Sequence, residues 1–289
     1  MKLSHLDKLY WDKISKGEML KYYESIAQVI LPYLKNRPLV MHRFPDGIKG
    51  VHFYQKDAGK NLPKFVKTTK FKHENRTISY LIAQNKETLL YVANLGSIEL
   101  HPFNGTLPHL SKPDYMVFDL DPEAISFDAV VDTALVIHEI LEELGIKSFC
   151  KTSGASGMHI FVPVQAKYSY LQVLSFAKIV AQLAQQRLPK VISLERNPAK
   201  RQKKVYIDVL QNNETKMVVS AYSVRARPGA TVSTPLLWKE VKHGLDPRDF
   251  TIKTVPKRLK KGDLFKGVLG KGIDLKAVQR KLAKIFLDK

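Results

Sequence analysis

The sequence predicts an α+β fold with antiparallel or mixed sheets, not a doubly wound parallel sheet. Helix-like and strand-like segments interleave along all 289 residues. Many of the strand-like segments lie only a hairpin's length apart, which suits antiparallel pairing and leaves no room for crossover helices. Neither G-x-G-x-x-G nor G-x-x-x-x-G-K-[ST] occurs, so the glycine loops of dinucleotide-binding and P-loop sheets are missing.

In order along the chain, residues 14–36 place Met19, Leu20, Tyr23, Ile26, Ala27, Ile30 and Leu31 at helical spacing, predicting one amphipathic helix that starts near Lys16. Residues 38–44, 50–56 and 77–83 are short alternating strands, separated by Pro45-Asp46-Gly47 and by turns rich in Gly, Lys and Asn. Residues 85–96 form a helix stopped by Gly96, and 97–103 return to strand. A strand over 115–120 precedes a strong helix with Ser126 as N-cap and Gly145 just past its end. Residues 146–152 and 158–164 are two strands joined by a tight glycine turn, followed by a helix over 169–188. Further strands are expected at 204–211 and 217–225, then a basic loop and a terminal helix over 274–287.

Lys and Arg number 47 against 27 Asp and Glu, a net charge of +20. Such a field draws polyanions: nucleic acid first, an anionic membrane surface second, with a merely solvated surface as the plain alternative. The single cysteine, Cys150, excludes an intramolecular disulfide and reads as a small buried hydrophobe. The N-terminus lacks the apolar stretch of a signal peptide and no run of about 18 apolar residues occurs, so the expected setting is cytoplasmic, on the nucleoid, with no membrane partner.

Four stretches carry chemistry. In Tyr115–Pro122 two acids, Asp119 and Asp121, interrupt an apolar strand. Residues i and i+2 share a face, about 7 Å apart, so the pair can bracket divalent cations, Mg²⁺ or Mn²⁺ by donor type. A wet strand end is the plainer reading. In residues 151–164, Ser153-Gly154-Ala155-Ser156-Gly157 forms a turn with backbone N–H groups free to face an anion, with His159 following; as a bare pattern it is also an ordinary turn. Asp208 repeats the first anomaly inside Val205–Leu210, either as a third metal ligand or as an acid paired with Lys203 or Lys204. Arg225 and Arg227 share a face if 217–225 runs on as a strand, and suit phosphate or simply solvent.

Taken in order, these blocks resemble the archaeo-eukaryotic primase superfamily, and within it the polymerase domain of ligase D that serves end joining. "LDKLYW", "SKGEMLKYY", "HRFPDG", "HFYQKD", "IELHPFN", "VFDLDP", "TSGASGMHIFVP", "VYIDVLQN" and "YSVRAR" follow in the family's order over nearly the whole chain. The resemblance implies a primase-polymerase fold with two central antiparallel or mixed sheets flanked by helices. It implies one domain over 1–289, with an N-terminal lobe of about 1–110 and a catalytic lobe of about 111–289. The implied activity is template-directed nucleotidyl transfer that fills gaps and extends 3′ ends at DNA breaks, with NTP or dNTP as substrate. Asp119, Asp121 and Asp208 would ligate two Mg²⁺ or Mn²⁺ ions. Ser153, Ser156, Gly157, His159 and Arg225 would hold the triphosphate, with Arg43 nearby. Phe53 or Tyr54 would stack on a base, and His101 would approach the sugar. Lys8 and Lys16 would grip a 5′-phosphate. Many members carry Lys where this chain has Ser156, so Lys151 or the Lys200–Lys204 cluster is a candidate replacement. No K-x-D-G adenylation motif is present, so a separate DNA ligase and an end-binding protein are the implied partners. The rival readings are a non-catalytic DNA end-bridging module and a D-x-D glycosyltransferase; the charge and Asp208 argue against the latter.

Overall fold

The computed structural model describes residues 2–287. A small hairpin of β1 (Leu9–Trp11) and β2 (Ile14–Ser15) leads into the first helix. Ser15 caps it: its hydroxyl accepts the Glu18 N–H (3.2 Å) while the Glu18 carboxylate accepts the Ser15 N–H (2.8 Å). The helix starts at Lys16 as the sequence predicts, but it is two helices, α1 (Lys16–Ser25) and α2 (Ala27–Leu34), parted at Ile26. The Ser25 hydroxyl folds back onto the Tyr22 carbonyl (2.8 Å) and competes with the helical ladder at that point.

One main sheet comprises β3 (Leu39–Arg43), β4 (Phe53–Gln55), β5 (Lys67–Lys72), β6 (Thr77–Ile82) and β7 (Ser97–Pro102), all antiparallel, with α3 (Lys86–Asn94) between β6 and β7. The sequence reading misses β5. Its lysines suggest a turn, yet they are the solvated side chains of an edge strand whose Thr68, Thr69 and Phe71 pair along β6. Fully buried Arg37 ties the start of β3 to the link beyond β7, donating to the Phe103 and Asn104 carbonyls (3.1 and 2.9 Å) and pairing with Asp114 (2.8 Å).

The second sheet has six strands in the order β11-β12-β8-β10-β9-β13: β8 (Tyr115–Pro122), β9 (Phe149–Thr152), β10 (Met158–Pro163), β11 (Ile192–Ser193), β12 (Val205–Asp208) and β13 (Pro235–Leu236). Only the β11–β12 pair is parallel. Helices α4 (Phe127–Glu143) and α5 (Tyr170–Arg187) pack on each other and against β8. Gly145 takes φ +71° past the end of α4, as expected, but Ser126 stands at the N-cap without a side-chain bond to the helix. The short α6 (Val255–Arg258) and the terminal α7 (Leu275–Leu287) complete the chain. One continuous apolar cluster runs from Tyr10 to Leu282 and includes Cys150, which is fully buried.

Residues 217–225 do not form the expected strand. Tyr222 sits at φ +66°, and the backbone bonds of this segment go to scattered partners: Ser220 N–H to the Leu100 carbonyl, Val224 N–H to the Tyr23 hydroxyl, Arg225 N–H to the Thr231 carbonyl. Tyr22 reaches the Tyr222 carbonyl (2.8 Å) and Trp11 the Arg227 carbonyl (2.8 Å), so the N-terminal elements pin this arginine-bearing segment in place.

Candidate active site

Strand register assembles the site. On β8, Asp119 stands opposite His159 of β10 on one side and opposite Asp208 of β12 on the other. His159 in turn faces Lys151 of β9. Residues directly opposite share a face, so Asp208, Asp119, His159 and Lys151 form one row across four strands. Asp121 lies two residues along on the same face. Phe118 and Leu120 point the other way and are fully buried. Asn212, in the turn after β12, clamps β12's return to β8 by exchanging bonds with the Val117 N–H (2.8 Å) and carbonyl (2.7 Å).

The row is electrostatically tense. Burial pushes the Asp119 carboxyl up to about 6, against the pull of Lys151 and Arg225. Asp121 is pushed up to about 7, first by burial and then by the charges of Asp119 and Asp208. Asp208 is also raised, mainly by burial. Gln211 partly relieves the crowding: its amide donates to Asp208 Oδ2 (3.1 Å) and reaches Asp119 Oδ2 (3.5 Å). His159 Nε2 lies 3.0 Å from Asp119 Oδ1, and burial followed by the Lys151 charge holds this imidazole well below its ordinary pKa.

The glycine turn is built differently from the expectation. The N–H groups of Ala155 and Gly157 turn inward onto Ser153 Oγ (both 3.1 Å), so those two are not free to face an anion. Gly157 serves packing: a Cβ there would lie 2.1 Å from the Leu120 carbonyl oxygen. We expect Gly157→Ala to cost about 3 kcal/mol by overpacking against immovable backbone, read as a fall in melting temperature of roughly 6 °C. Gly154, at φ +72°, lets Arg225 Cγ approach within 2.7 Å of where a Cβ would stand. Ser156 is exposed at the tip.

Arg225 reaches the turn from the pinned segment, donating to the Ser153 carbonyl (2.6 Å) and to Glu99 Oε1 (3.0 Å). A cleft of about 210 Å³ opens here, and its walls include His101, Asp119, Asp121, Ser153, Ser156, His159, Arg225 and Arg227. Arg43 and Phe53 stand outside those walls; Arg43 donates to the Leu95 carbonyl and to Gln55, with its guanidinium 5.3 Å from the Phe53 ring. Phe53 and Tyr54 are both exposed, and Tyr54 stacks on His42 at 4.0 Å. Lys8 bonds Asp46, whereas Lys16 is buried and donates to the Ser4 carbonyl (2.8 Å). Burial, then the neighbouring Lys8 charge, lowers the Lys16 pKa. Lys151 is fully buried and turned inward, so it does not replace the missing lysine at 156 on the cleft surface. Within the 200–204 cluster, Arg201 lies over the Tyr206 ring (4.1 Å) and its charge draws the Asp121 pKa down.

Glu99 is the site residue that sequence reasoning misses. It is buried on β7 and accepts from His42 (3.2 Å), His101 (3.1 Å) and Arg225. Burial raises its pKa, but those two hydrogen bonds and the Arg225 charge outweigh that and hold it well below the carboxylate range. Glu99 and His101 are an i, i+2 polar pair on a strand whose six residues are all buried, the same signal as Asp119 and Asp121. Among the described residues, His42, Glu99 and His101 form the one group whose metal-type donor atoms all lie within 4.8 Å of one another, so this trio could also hold a cation. Its carboxylate is already neutralised by Arg225. The three aspartates stand wider apart, as the strand spacing of about 7 Å between Asp119 and Asp121 requires. Their all-oxygen donor set and their mutual repulsion fit Mg²⁺ or Mn²⁺.

Residues 15–265 match the family model described as LigD, primase-polymerase domain. The chain is 32% identical over 263 residues to the multifunctional non-homologous end joining protein LigD of Pseudomonas aeruginosa, covering 90% of this chain and 31% of that protein. It is 31% identical over 266 residues to the bifunctional LigD of Bacillus subtilis, covering 90% of this chain and 43% of that protein. The chain thus spans less than half the length of these relatives. Its fold superimposes on the polymerase domain of Mycobacterium tuberculosis ligase D, solved in complex with DNA, with a TM-score of 0.88 at 26% identity, covering 94% of this chain and 99% of that one.

Proposed function

The chain belongs to the LigD primase-polymerase family, and from that footing we propose that it is a template-directed nucleotidyl transferase that fills gaps and extends 3′ ends at DNA breaks. The observation that carries the reading is the β12–β8 pairing, which sets Asp208 opposite Asp119. Asp119, Asp121 and Asp208 would hold two divalent cations through carboxylate oxygens. When bound, Mg²⁺ or Mn²⁺ would neutralise charge on the triphosphate and favour deprotonation of the primer 3′-hydroxyl.

The chain's own groups do the rest. Arg225 and the hydroxyls of Ser153 and Ser156 would receive the triphosphate in the cleft. His159 borders the same cleft through the edge that faces Asp119. Arg201, whose charge acts on Asp121, and Arg227, which lines the cleft, are the candidates for the charge that Ser156 does not supply. Tyr54 or Phe53 would stack on a base, which suits exposed aromatics on a short strand. The +20 charge supports DNA as the partner. A ligase and an end-binding protein would act on the same break.

Lys8 would read a 5′-phosphate across the gap, and Lys16 would join it by releasing the Ser4 carbonyl. Lys8→Ala is expected to weaken binding to a 5′-phosphorylated gap roughly 10-fold, the worth of a charged hydrogen bond, with little effect on a 5′-hydroxyl gap. Fluorescence anisotropy with the two duplexes checks it; equal wild-type affinity for both ends refutes the role. The reading as a whole is tested by extension of a gapped duplex with Mn²⁺ and each of the eight nucleotides. Template-matched addition supports it, and binding without addition favours an end-bridging module instead.

A further inference from the structure

Lys151 has no part in the function as derived so far, yet it is a fully buried basic side chain beside the acid row. It is fully buried on β9, a setting that lysine occupies only with a strong local reason. Its hydrogen-bond partners are not carboxylates. The amine lies 2.7 Å from His159 Nδ1 and 2.6 Å from Ser233 Oγ. The Ser233 hydroxyl spends its own hydrogen on the Thr152 carbonyl (2.9 Å), so its oxygen accepts from Lys151. A primary amine carries at least two hydrogens whatever its charge. One goes to Ser233; at the other end of the ring an ionised Asp119 Oδ1 can only accept, so the neutral imidazole donates there from Nε2 and its Nδ1 lone pair accepts the second amine hydrogen. A neutral imidazole that accepts at Nδ1 bears its proton on Nε2, and Nε2 is the atom 3.0 Å from Asp119 Oδ1.

We propose that Lys151 is a positioning residue: it locks His159 in the Nε2–H tautomer, so that this N–H is aimed at Asp119 Oδ1 and fixes the carboxylate with Oδ2 on the Gln211 amide that also meets Asp208. The Asp119–His159–Lys151–Ser233 chain is thus a rigid support for one metal ligand, and it rests on the reading of Asp119 as such a ligand. The usual support for a site histidine is an acceptor, a carboxylate or carbonyl, at its far nitrogen. Here the far partner is a donor, because the histidine must give a proton to a carboxylate and not bind the metal itself. Without that donor the Nδ1–H tautomer becomes accessible, and it would set an Nε2 lone pair against a carboxylate oxygen.

The test is Lys151→Met, which keeps the length of the side chain and removes the donor. Ring ¹⁵N spectra of the wild type should show His159 with a pyrrole-type Nε2 and a pyridine-type Nδ1. In the variant a substantial Nδ1–H population should appear, and Mn²⁺ affinity measured by electron paramagnetic resonance should fall about 10–100-fold, the range seen when outer partners of metal ligands are removed. Primer extension should lose kcat more than KM for nucleotide. A wild-type His159 protonated on Nδ1, or a folded Lys151→Met with unshifted tautomer and unchanged Mn²⁺ affinity, overturns the proposal. If Lys151→Met does not fold, the wild-type spectrum decides: a pyrrole-type Nε2 supports the proposal and a pyrrole-type Nδ1 overturns it. A tautomer shift alongside a wild type that extends no primer keeps the support role and removes the polymerase reading. Extension with no shift does the reverse.

Discussion

Asp121→Asn is expected to abolish primer extension, by roughly 10³-fold or more, while raising the melting temperature of the metal-free protein. Both effects have one cause. The Asp121 carboxyl is pushed up to about 7 by burial and by its two acidic neighbours, whereas in the unfolded chain it titrates near 3.9. Between about pH 4 and 7 the native state therefore holds more protons than the unfolded one, and stability falls as pH rises through that window. Above it the full penalty stands; below it there is none. Asparagine carries no such charge. The gain should be on the order of 2 kcal/mol at pH 8, or roughly 5 °C, and should vanish near pH 4. Saturating Mn²⁺ should reverse the order, because the wild type alone gains binding free energy from the cation. Scanning calorimetry of both proteins at pH 4, 6 and 8, with chelator and with Mn²⁺, checks each step. A destabilised Asp121→Asn at pH 8 in chelator would mean that the acids do not repel one another.

Glu99→Ala should be the most destabilising substitution near the cleft. It leaves the Arg225 guanidinium half-buried beside two buried imidazoles without its hydrogen-bonded carboxylate. Removing one member of a buried ion network costs about 3–5 kcal/mol, here a fall of roughly 10 °C. The effect also reaches the cleft, because Glu99 accepts from both Arg225 Nε and the Ala226 N–H (3.1 Å) and so fixes where the guanidinium meets the turn. Nucleotide affinity should fall with stability, while Glu99→Gln, which can still accept, should lose less of both. Urea unfolding with an unchanged slope and a lowered midpoint is the expected signature. A midpoint within error of the wild type would show that Arg225 finds other partners.

Much of this site was legible because its residues break local rules. An acid inside an apolar strand marks Asp119, Asp121 and Asp208 without any knowledge of the fold. What joins them is register, a pairing of segments far apart along the chain, and local pattern carries no trace of it. Glu99 breaks the same rule beside His101, but a single acid next to a histidine does not repeat the paired-acid pattern. β5 was missed because an edge strand that wards off pairing with lysine looks like a turn. Residues 217–225 failed the other way: their β-branched and aromatic residues suit a strand, but hydroxyls from Tyr23 and Ser223 take up backbone groups that a ladder would have used. The turn at 153–157 was recognised as a turn while its inward N–H groups were not, since a serine that caps its own loop is written no differently from one that faces an anion.

The most direct measurement is anomalous scattering at the manganese edge from crystals soaked in Mn²⁺ with a non-hydrolysable nucleoside triphosphate. The account predicts density bridged by the carboxylates of Asp119, Asp121 and Asp208, with the triphosphate toward Arg225. Density held instead by His42, Glu99 and His101, with the aspartates bare, would contradict it.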